Sequence, residues 1–330
     1  KLYVELQEAI AAGQLRGSVR ILPGISSVVS LAARVGESYE DAAILSMHGK
    51  KLNHLPTTVV SHEKTFLLTS GSEDIRKIGR MLTETGLTDC EVIVGYQLSY
   101  PEENIRILMP EQCVEVTEEG LYTCLIRNPH PQPELLTHGR ADTCFLRDAS
   151  GTEGKLRRTP MTKEEVREVS ICKLHLTDGA VVYDIGSGTG SVAIEIAGVP
   201  GGVQVYAIER KPEAVELLRK NREHFHMDNI QIIEAPAPEG LEELPVPTHA
   251  FIGGSGGRLL DILQVLYRKN PHMRIVINAI SMETIAELKE VLDTFPVEEE
   301  EILQMQVSRV KKLLSYHLPQ AENPVWICSF

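Results

Sequence analysis

Three glycines at alternate positions, Gly186, Gly188 and Gly190, stand where one kind of segment gives way to another. Before them lies an apolar, β-branched run from Val181 to Ile185, which reads as a short buried strand; after them Ser191 to Ala197 reads as an amphipathic helix. The glycines therefore occupy the turn between, where they can take backbone angles closed to other residues and put no Cβ in the way of a ligand. The helix that follows directs its free N–H groups at whatever fills that turn. A dinucleotide fingerprint would need its third glycine at position 191, where the chain has Ser191. Here the order is G-x-G-x-G with an acid, Asp184, two residues before the first glycine. A second strand, Val203 to Ile208, ends on Glu209, whose carboxylate could accept hydrogen bonds from both hydroxyls of a ribose. Such a loop suits a nucleoside carrying an amino acid, with no pyrophosphate to hold.

This is the pattern of an S-adenosylmethionine (SAM) methyltransferase, and it makes Asp184, Gly186, Ser187, Gly188, Thr189, Gly190 and Glu209 the candidate cofactor residues. A chain of 330 residues can form two domains, each with its own core. The net charge of −13 argues against a nucleic-acid partner, which needs a basic face. A local basic cluster, Lys155, Arg157, Arg158, Lys163 and Arg167, precedes the glycine-loop domain. Six cysteines are scattered without C-x-x-C or paired spacing and read as reduced thiols of a cytoplasmic protein. His224 and His226 have no third ligand at metal spacing, so no metal is expected. No apolar run approaches membrane-spanning length.

In the first half, strand, polar loop and helix alternate, which indicates an α/β domain whose ligands sit at strand C-terminal ends. A strand from Val19 to Leu22 runs into Pro23-Gly24-Ile25-Ser26-Ser27, whose serines can cap the next helix. Ala43–Ser46 runs into Met47-His48-Gly49, and Thr65–Leu68 into Thr69-Ser70-Gly71. From Arg127 to Arg158 prolines and glycines break the pattern. The domain boundary is placed there, giving 1–147 and 148–330. The second domain opens on Thr162 with Glu165 three residues on, a capping box for a helix from about Lys163 to Leu174. Beyond the glycine loop, a strand ending at Ile252 meets Gly253-Gly254-Ser255-Gly256-Gly257, a segment fit for backbone pressed against a ligand. Five parallel strands and an antiparallel closing pair, Ile302–Val310 with Val325–Phe330, complete a Rossmann-like class I methyltransferase sheet.

The stretches Thr162–Arg167, Asp184–Ala197, Tyr206–Arg210, Ala237-Pro238-Glu239, Phe251–Gly257 and Val276–Ala279 occur in the order seen in the decarboxylating precorrin C15-methyltransferases of cobalamin biosynthesis, which this half resembles. The first 126 residues resemble the later part of the precorrin C5-methyltransferases, at Ile21–Ser27, Ala32-Ala33-Arg34, Leu45–Gly49 and Leu68-Thr69. Joined in this order the two are similar to the bifunctional precorrin-6Y C5,15-methyltransferases. The resemblance implies that Gly186, Gly188 and Gly190 wrap SAM, that Glu209 holds the ribose, that the Ala237 backbone meets the adenine and that Thr162 closes over the cofactor. It implies further that Gly253, Gly254, Ser255, Gly256 and Gly257 face the tetrapyrrole. The chain departs from its relatives at Pro236, where they usually carry an acid. It also lacks the opening strand, glycine-rich loop and Gly-Asp-Pro segment of tetrapyrrole methylases, so roughly the first third of a C5-methylase domain is expected to be missing. What remains of that site is Pro23, Gly24, Ser26, Ser27, His48 and Thr69.

The expected reaction is methyl transfer from SAM to C15 of a precorrin with loss of the ring-C (C12) acetate carboxylate, and C5 methylation by the first domain. The substrate carboxylates suit the basic cluster, notably Lys163 and Arg167. A homo-oligomer is expected, with no nucleic-acid or membrane partner. The alternatives are a SAM methyltransferase of RNA or protein isoaspartate, and a non-catalytic SAM-binding partner.

Overall fold

The structure, a computed structural model, describes residues 2–20, 24–47, 54–132, 139–149 and 157–330. The first half builds α1 (Leu2–Ala11), α2 (Ser27–Val35), α3 (Leu55–Ser61) and α4 (Ser72–Glu84) around a five-stranded sheet. Its strands are β1 (Ala43–Ser46), β2 (Lys64–Leu68), β3 (Glu91–Tyr96), β4 (Asn104–Leu108) and β5 (Tyr122–Arg127), in the order β1-β2-β5-β3-β4. Only β1 and β2, joined through α3, run parallel; the other three pairs are antiparallel. The short 97–103 connection between β3 and β4 leaves no room for a crossover helix, so the chain must turn back on itself. Side chains alternate across this sheet. Leu67, Val94 and Cys124 pack beneath Ile75 and Ile78 of α4. Phe66, Ile93 and Leu125 face Val28 and Leu31 of α2. The strand expected at Val19–Leu22 is absent at Val19 and Arg20, which are irregular; Ile21 and Leu22 lie outside the described residues.

A two-residue ladder, β6 (Asp148–Ala149) with β7 (Arg157–Arg158), leads into the second half. There follow α5 (Glu164–Leu174), β8 (Val181–Ile185), α6 (Ser191–Ala197), β9 (Gln204–Glu209), α7 (Pro212–His224) and β10 (Ile230–Glu234). Next come β11 (His249–Ile252), α8 (Leu259–Lys269), β12 (Arg274–Ala279) and α9 (Met282–Thr294). The chain ends in β13 (Glu301–Met305), β14 (Ser308–Leu313), β15 (Tyr316–Ala321) and β16 (Val325–Ser329). The seven-stranded sheet has the order β10-β9-β8-β11-β12-β16-β13, parallel up to β12 and closed by antiparallel β16 and β13. This is the Rossmann-like methyltransferase sheet expected. Strand order departs in both directions from β8, which makes the ends of β8 and β11 the switch point where ligands bind in open α/β sheets. The expected single strand Ile302–Val310 is instead broken at Gln306-Val307. Its second part, β14, pairs with β15 in a separate, exposed two-stranded ribbon.

The capping box expected at Thr162 does not form. Helix α5 begins one turn position later, with Lys163 at its N-cap and no side-chain cap of its own. Asp142, twenty-odd residues upstream, does that work: its Oδ1 accepts the Glu164 N–H at 3.0 Å. The 139–149 segment is in fact laid into the second half. Phe145 is buried with Val166, Val192 and Ala193. Asn221 of α7, fully buried, accepts the Leu146 N–H at 2.8 Å and donates to the carbonyls of Leu146 (3.0 Å) and Thr189 (2.9 Å). No helix among the described residues is long and apolar enough to cross a membrane.

Replacing Asn221 by Leu strands the buried Thr189 carbonyl, at a cost of order 1 kcal/mol or more, and removes the partner of two part-buried groups of Leu146. The variant is expected to lose about 2 kcal/mol of stability, read as a shifted midpoint in urea denaturation. An unshifted midpoint would mean that water or a neighbour replaces the amide.

Candidate active site

Gly186, Gly188 and Gly190 all have positive φ, +75°, +58° and +80°. Side chains are also excluded sterically. A Cβ on Gly186 would stand 2.6 Å from the Gly254 carbonyl oxygen, and one on Gly190 would stand 2.1 Å from Leu218 Cδ1. The first turn of the loop is held by the neighbouring strand, because the N–H groups of Gly186 and Ser187 both donate to the Ile208 carbonyl. Glu209, at the end of β9 and nearly buried, accepts the Gly188 N–H on Oε2 (3.0 Å) and those of Arg210 and Lys211 on Oε1 (2.9 Å each). Its carboxylate is thus fixed by backbone donors, with lone pairs left over for a ligand in the cavity it lines.

Two cavities meet here. The larger, about 660 Å³, is lined by Gly186, Gly188, Glu209, Arg210, Ala235, Pro236, Ala237 and the segment Gly253–Gly256. The smaller, about 300 Å³, is lined by Met161, Thr162, Lys163, Ser187, Asn278, Met305, Glu322 and Asn323 among others. Both are bounded by Pro160, Gly186 and Gly253, so the two form one cleft with a neck made largely of glycine backbone. At Gly188, with φ +58°, a Cβ would stand 3.1 Å from the Pro160 carbonyl oxygen, so glycine is favoured there too.

Several candidates from the sequence do not face this cleft. Asp184 and Thr189 are fully buried beneath the loop, and Gly190 serves as the N-cap of α6. Gly257 turns away toward Glu287. Arg167, expected to meet substrate carboxylates, is wholly inaccessible. Its guanidinium donates to the carbonyls of Arg140 and Thr162, lies 3.4 Å from Asp142 and 3.5 Å from Glu195, and covers the Phe145 ring. A charge that cannot be left unpaired in the interior has been used to join segments. Lys163 stays partly exposed and pairs with Asp142 at 3.3 Å. In the first half, Gly24 is exposed, Ser26 caps α2 through the Val29 N–H (3.3 Å), Ser27 opens that helix, and Thr69 is buried with its hydroxyl on the Tyr122 carbonyl (2.8 Å). Pro23 and His48, like Lys155, lie outside the described residues. The sequence reading missed Arg210, Asn278, Met305, Glu322 and Asn323 as cleft residues. Their only signal was position, just after strand ends or at the edge of the C-terminal ribbon.

Asp184 accepts the Ser187 hydroxyl (2.6 Å) and the Ala193 N–H (3.1 Å) on Oδ2, while buried Oδ1 has no partner. Burial pushes this carboxyl from 3.8 up to about 7, against the pull of those two hydrogen bonds. Because the folded value is the raised one, the group's contribution to stability is complete below about pH 4 and is lost as pH rises through about 7. Asp184→Asn keeps an oxygen for both donors and cannot ionise. The difference in melting temperature, variant minus wild type, is therefore expected to grow between pH 4 and 8 in ligand-free protein. A flat difference would show that the carboxyl stays ionised throughout.

Residues 157–329 match the family model of the precorrin methyltransferase domain, and residues 1–109 match that of the tetrapyrrole (corrin/porphyrin) methylases. A protein of Sulfurisphaera tokodaii named "probable cobalt-precorrin-6B C(15)-methyltransferase (decarboxylating)" is 37% identical over 175 residues, 52% of this chain and 91% of that one. The precorrin-6Y C(5,15)-methyltransferase [decarboxylating] of Sinorhizobium sp is 26% identical over 288 residues, covering 86% of this chain and 66% of that protein. Among solved structures, a precorrin-6y C5,15-methyltransferase from Geobacter metallireducens superimposes with a TM-score of 0.52 at 34% identity, over 58% of this chain and 97% of that one. The glycine cleft at the β8–β11 switch point thus lies within a domain whose relatives are decarboxylating precorrin methyltransferases, and the chain belongs to the precorrin methyltransferase family.

Proposed function

We propose that the second half, with the 139–149 segment as part of it, transfers the SAM methyl group to C15 of a precorrin and removes the carboxylate of the C12 acetate. The first half would be the C5-methylating unit of the same pathway, cobalamin biosynthesis, working in the cytoplasm. The observation that carries this reading is the cleft itself: two glycine segments pressed together at a strand switch point, flanked by a carboxylate fixed at the next strand end. When bound, SAM supplies an electrophilic methyl group on a sulfonium, which leaves as a neutral thioether.

What this chain contributes is placement. Glu209, immobilised by three backbone N–H groups, would accept both ribose hydroxyls. Ala237 would bound the adenine, and Thr162 and Ser187 would enclose the amino-acid tail. Gly253–Gly256 would let the flat macrocycle come close to the neck, where side chains would hold it off. The acceptor carbon of a precorrin is enamine-like and itself nucleophilic, so no general base is assigned. Alignment of the two carbons and exclusion of water supply the rate. In the second step CO₂ leaves the acetate arm and a proton takes its place, which converts the arm to a methyl group. A homo-oligomer is also proposed. The β14–β15 ribbon carries Leu313, Leu314, Tyr316 and Leu318, all exposed, and a second copy could cover them.

Incubation with SAM and precorrin-6B, followed by mass spectrometry, is expected to give a product with one methyl gained and one CO₂ lost. A second methyl would come from the first half. An unchanged mass in the presence of bound SAM would refute the precorrin assignment and favour another substrate or a binding role. Glu209→Ala is expected to weaken SAM binding about tenfold or more in calorimetry, as loss of two ribose hydrogen bonds predicts. Undiminished affinity would remove Glu209 from the ribose site.

A further inference from the structure

We propose that Arg210 receives a peripheral carboxylate of the substrate, a polycarboxylate tetrapyrrole. This rests on the function proposed above and adds the residue that would recognise the acidic rim. Such a substrate needs a cation at the cleft, and most candidates are already committed. Arg167 is enclosed in the core. Lys163 is paired with Asp142 at 3.3 Å. Arg258, on the wall of the larger cavity, is held by Glu239 at 2.6 Å and Asp261 at 3.2 Å. Arg210 and its neighbour Lys211 line the same cavity and have no acidic ion-pair partner among the described residues. The acids closest in sequence, Glu209 and Glu213, line the same wall without forming an ion pair with either cation.

The placement of Arg210 is specific. A Cβ on Gly256 would lie 3.6 Å from Cζ, Nη1 and Nη2 alike. A point equally far from all three atoms at that distance stands over the guanidinium plane, so the group turns one face toward the glycine segment. Gly256 has φ +62°, where a side chain is disfavoured, and without a Cβ it leaves that face of the guanidinium uncrowded. The in-plane N–H donors take no protein partner among the described residues, and a planar fork of donors is what bidentate capture of a carboxylate requires. Although Glu209 and Glu213 share this wall, Arg210 and Lys211 are its cations without an ion-pair partner among the described residues, and a carboxylate entering the cleft would meet them.

The test uses the full chain with Arg210→Gln and Arg210→Lys. Uroporphyrin, an octacarboxylate, serves as probe, its octamethyl ester as control, and SAM binding is measured in parallel. Arg210→Gln is expected to weaken uroporphyrin binding about tenfold or more, with SAM affinity and ester binding unchanged and partial recovery in Arg210→Lys. Equal uroporphyrin binding by wild type and Arg210→Gln would overturn this inference and leave the proposed function standing. Loss of SAM affinity with uroporphyrin binding intact would also overturn it and assign Arg210 to the cofactor. Failure of the wild type to bind uroporphyrin while it binds SAM would overturn both.

Discussion

The contact between Gly186 and Gly254 is the constraint from which the rest of the second half follows. β8 and β11 lie side by side in register, Ile185 opposite Ile252, and the Gly253 N–H donates to the Ile185 carbonyl at 2.9 Å. The two segments leaving these strands therefore start at the same height and must pass each other at backbone distance. Any side chain at position 186 would force them apart. Once they are abreast, the floor of the cleft consists of main chain, and the groups able to distinguish one ligand from another have to come from around it. Glu209 and Arg210 come from β9, Thr162 from the approach to α5, and Asn278 from the end of β12. Specificity is thus assigned to the rim by the packing of the floor.

A second requirement is that the loop keep its shape without a ligand. Its supports are buried and polar, which makes them costly if incomplete. Asp184 holds Ser187 and the start of α6 from below, and Asn221 holds the Thr189 carbonyl from α7. Asn221 also holds Leu146, and Arg167 joins Arg140, Asp142, Thr162 and Glu195. Through these groups the 139–149 segment becomes a structural layer over α5 and α6. The path between the two halves is therefore not a free tether where it reaches the second half.

The sheet of the second half could be read from sequence because its central strands, β8, β9, β11 and β12, are largely apolar runs, as burial on both faces demands, and end in distinct turns. The glycine loop and Glu209 were legible for the same reason: backbone geometry leaves a mark in residue type. What could not be read were choices made by partners distant in the chain. Thr162 and Glu165 form a valid capping box on paper, yet Asp142 reaches the helix start first. Arg167 sits among basic neighbours and looked like one of them, but two acids from elsewhere enclose it. The mixed pairing of the first sheet was hidden because strand runs do not state their direction, and only the short 97–103 link gave it away. The break at Gln306-Val307 carries no glycine or proline to announce the ribbon.

Charge illustrates the same limit at the level of function. An acidic total and a run of basic residues before the glycine loop both invite conclusions about the ligand, and neither describes the cleft. The field a ligand meets is set by charges left without partners, since an ion pair presents little net charge beyond a few ångströms. Arg258 and Lys163 are near the cleft but largely neutralised, and Arg167 is removed from solvent altogether. What remains on the cavity wall is a fixed carboxylate at Glu209, cations at Arg210 and Lys211, and a second carboxylate at Glu213, a change of sign within five residues. A strand end delivering opposite charges to adjacent points can hold a hydroxylated nucleoside on one side and an acidic group on the other. That juxtaposition puts both signs of charge on one wall of a cleft in a protein of net charge −13.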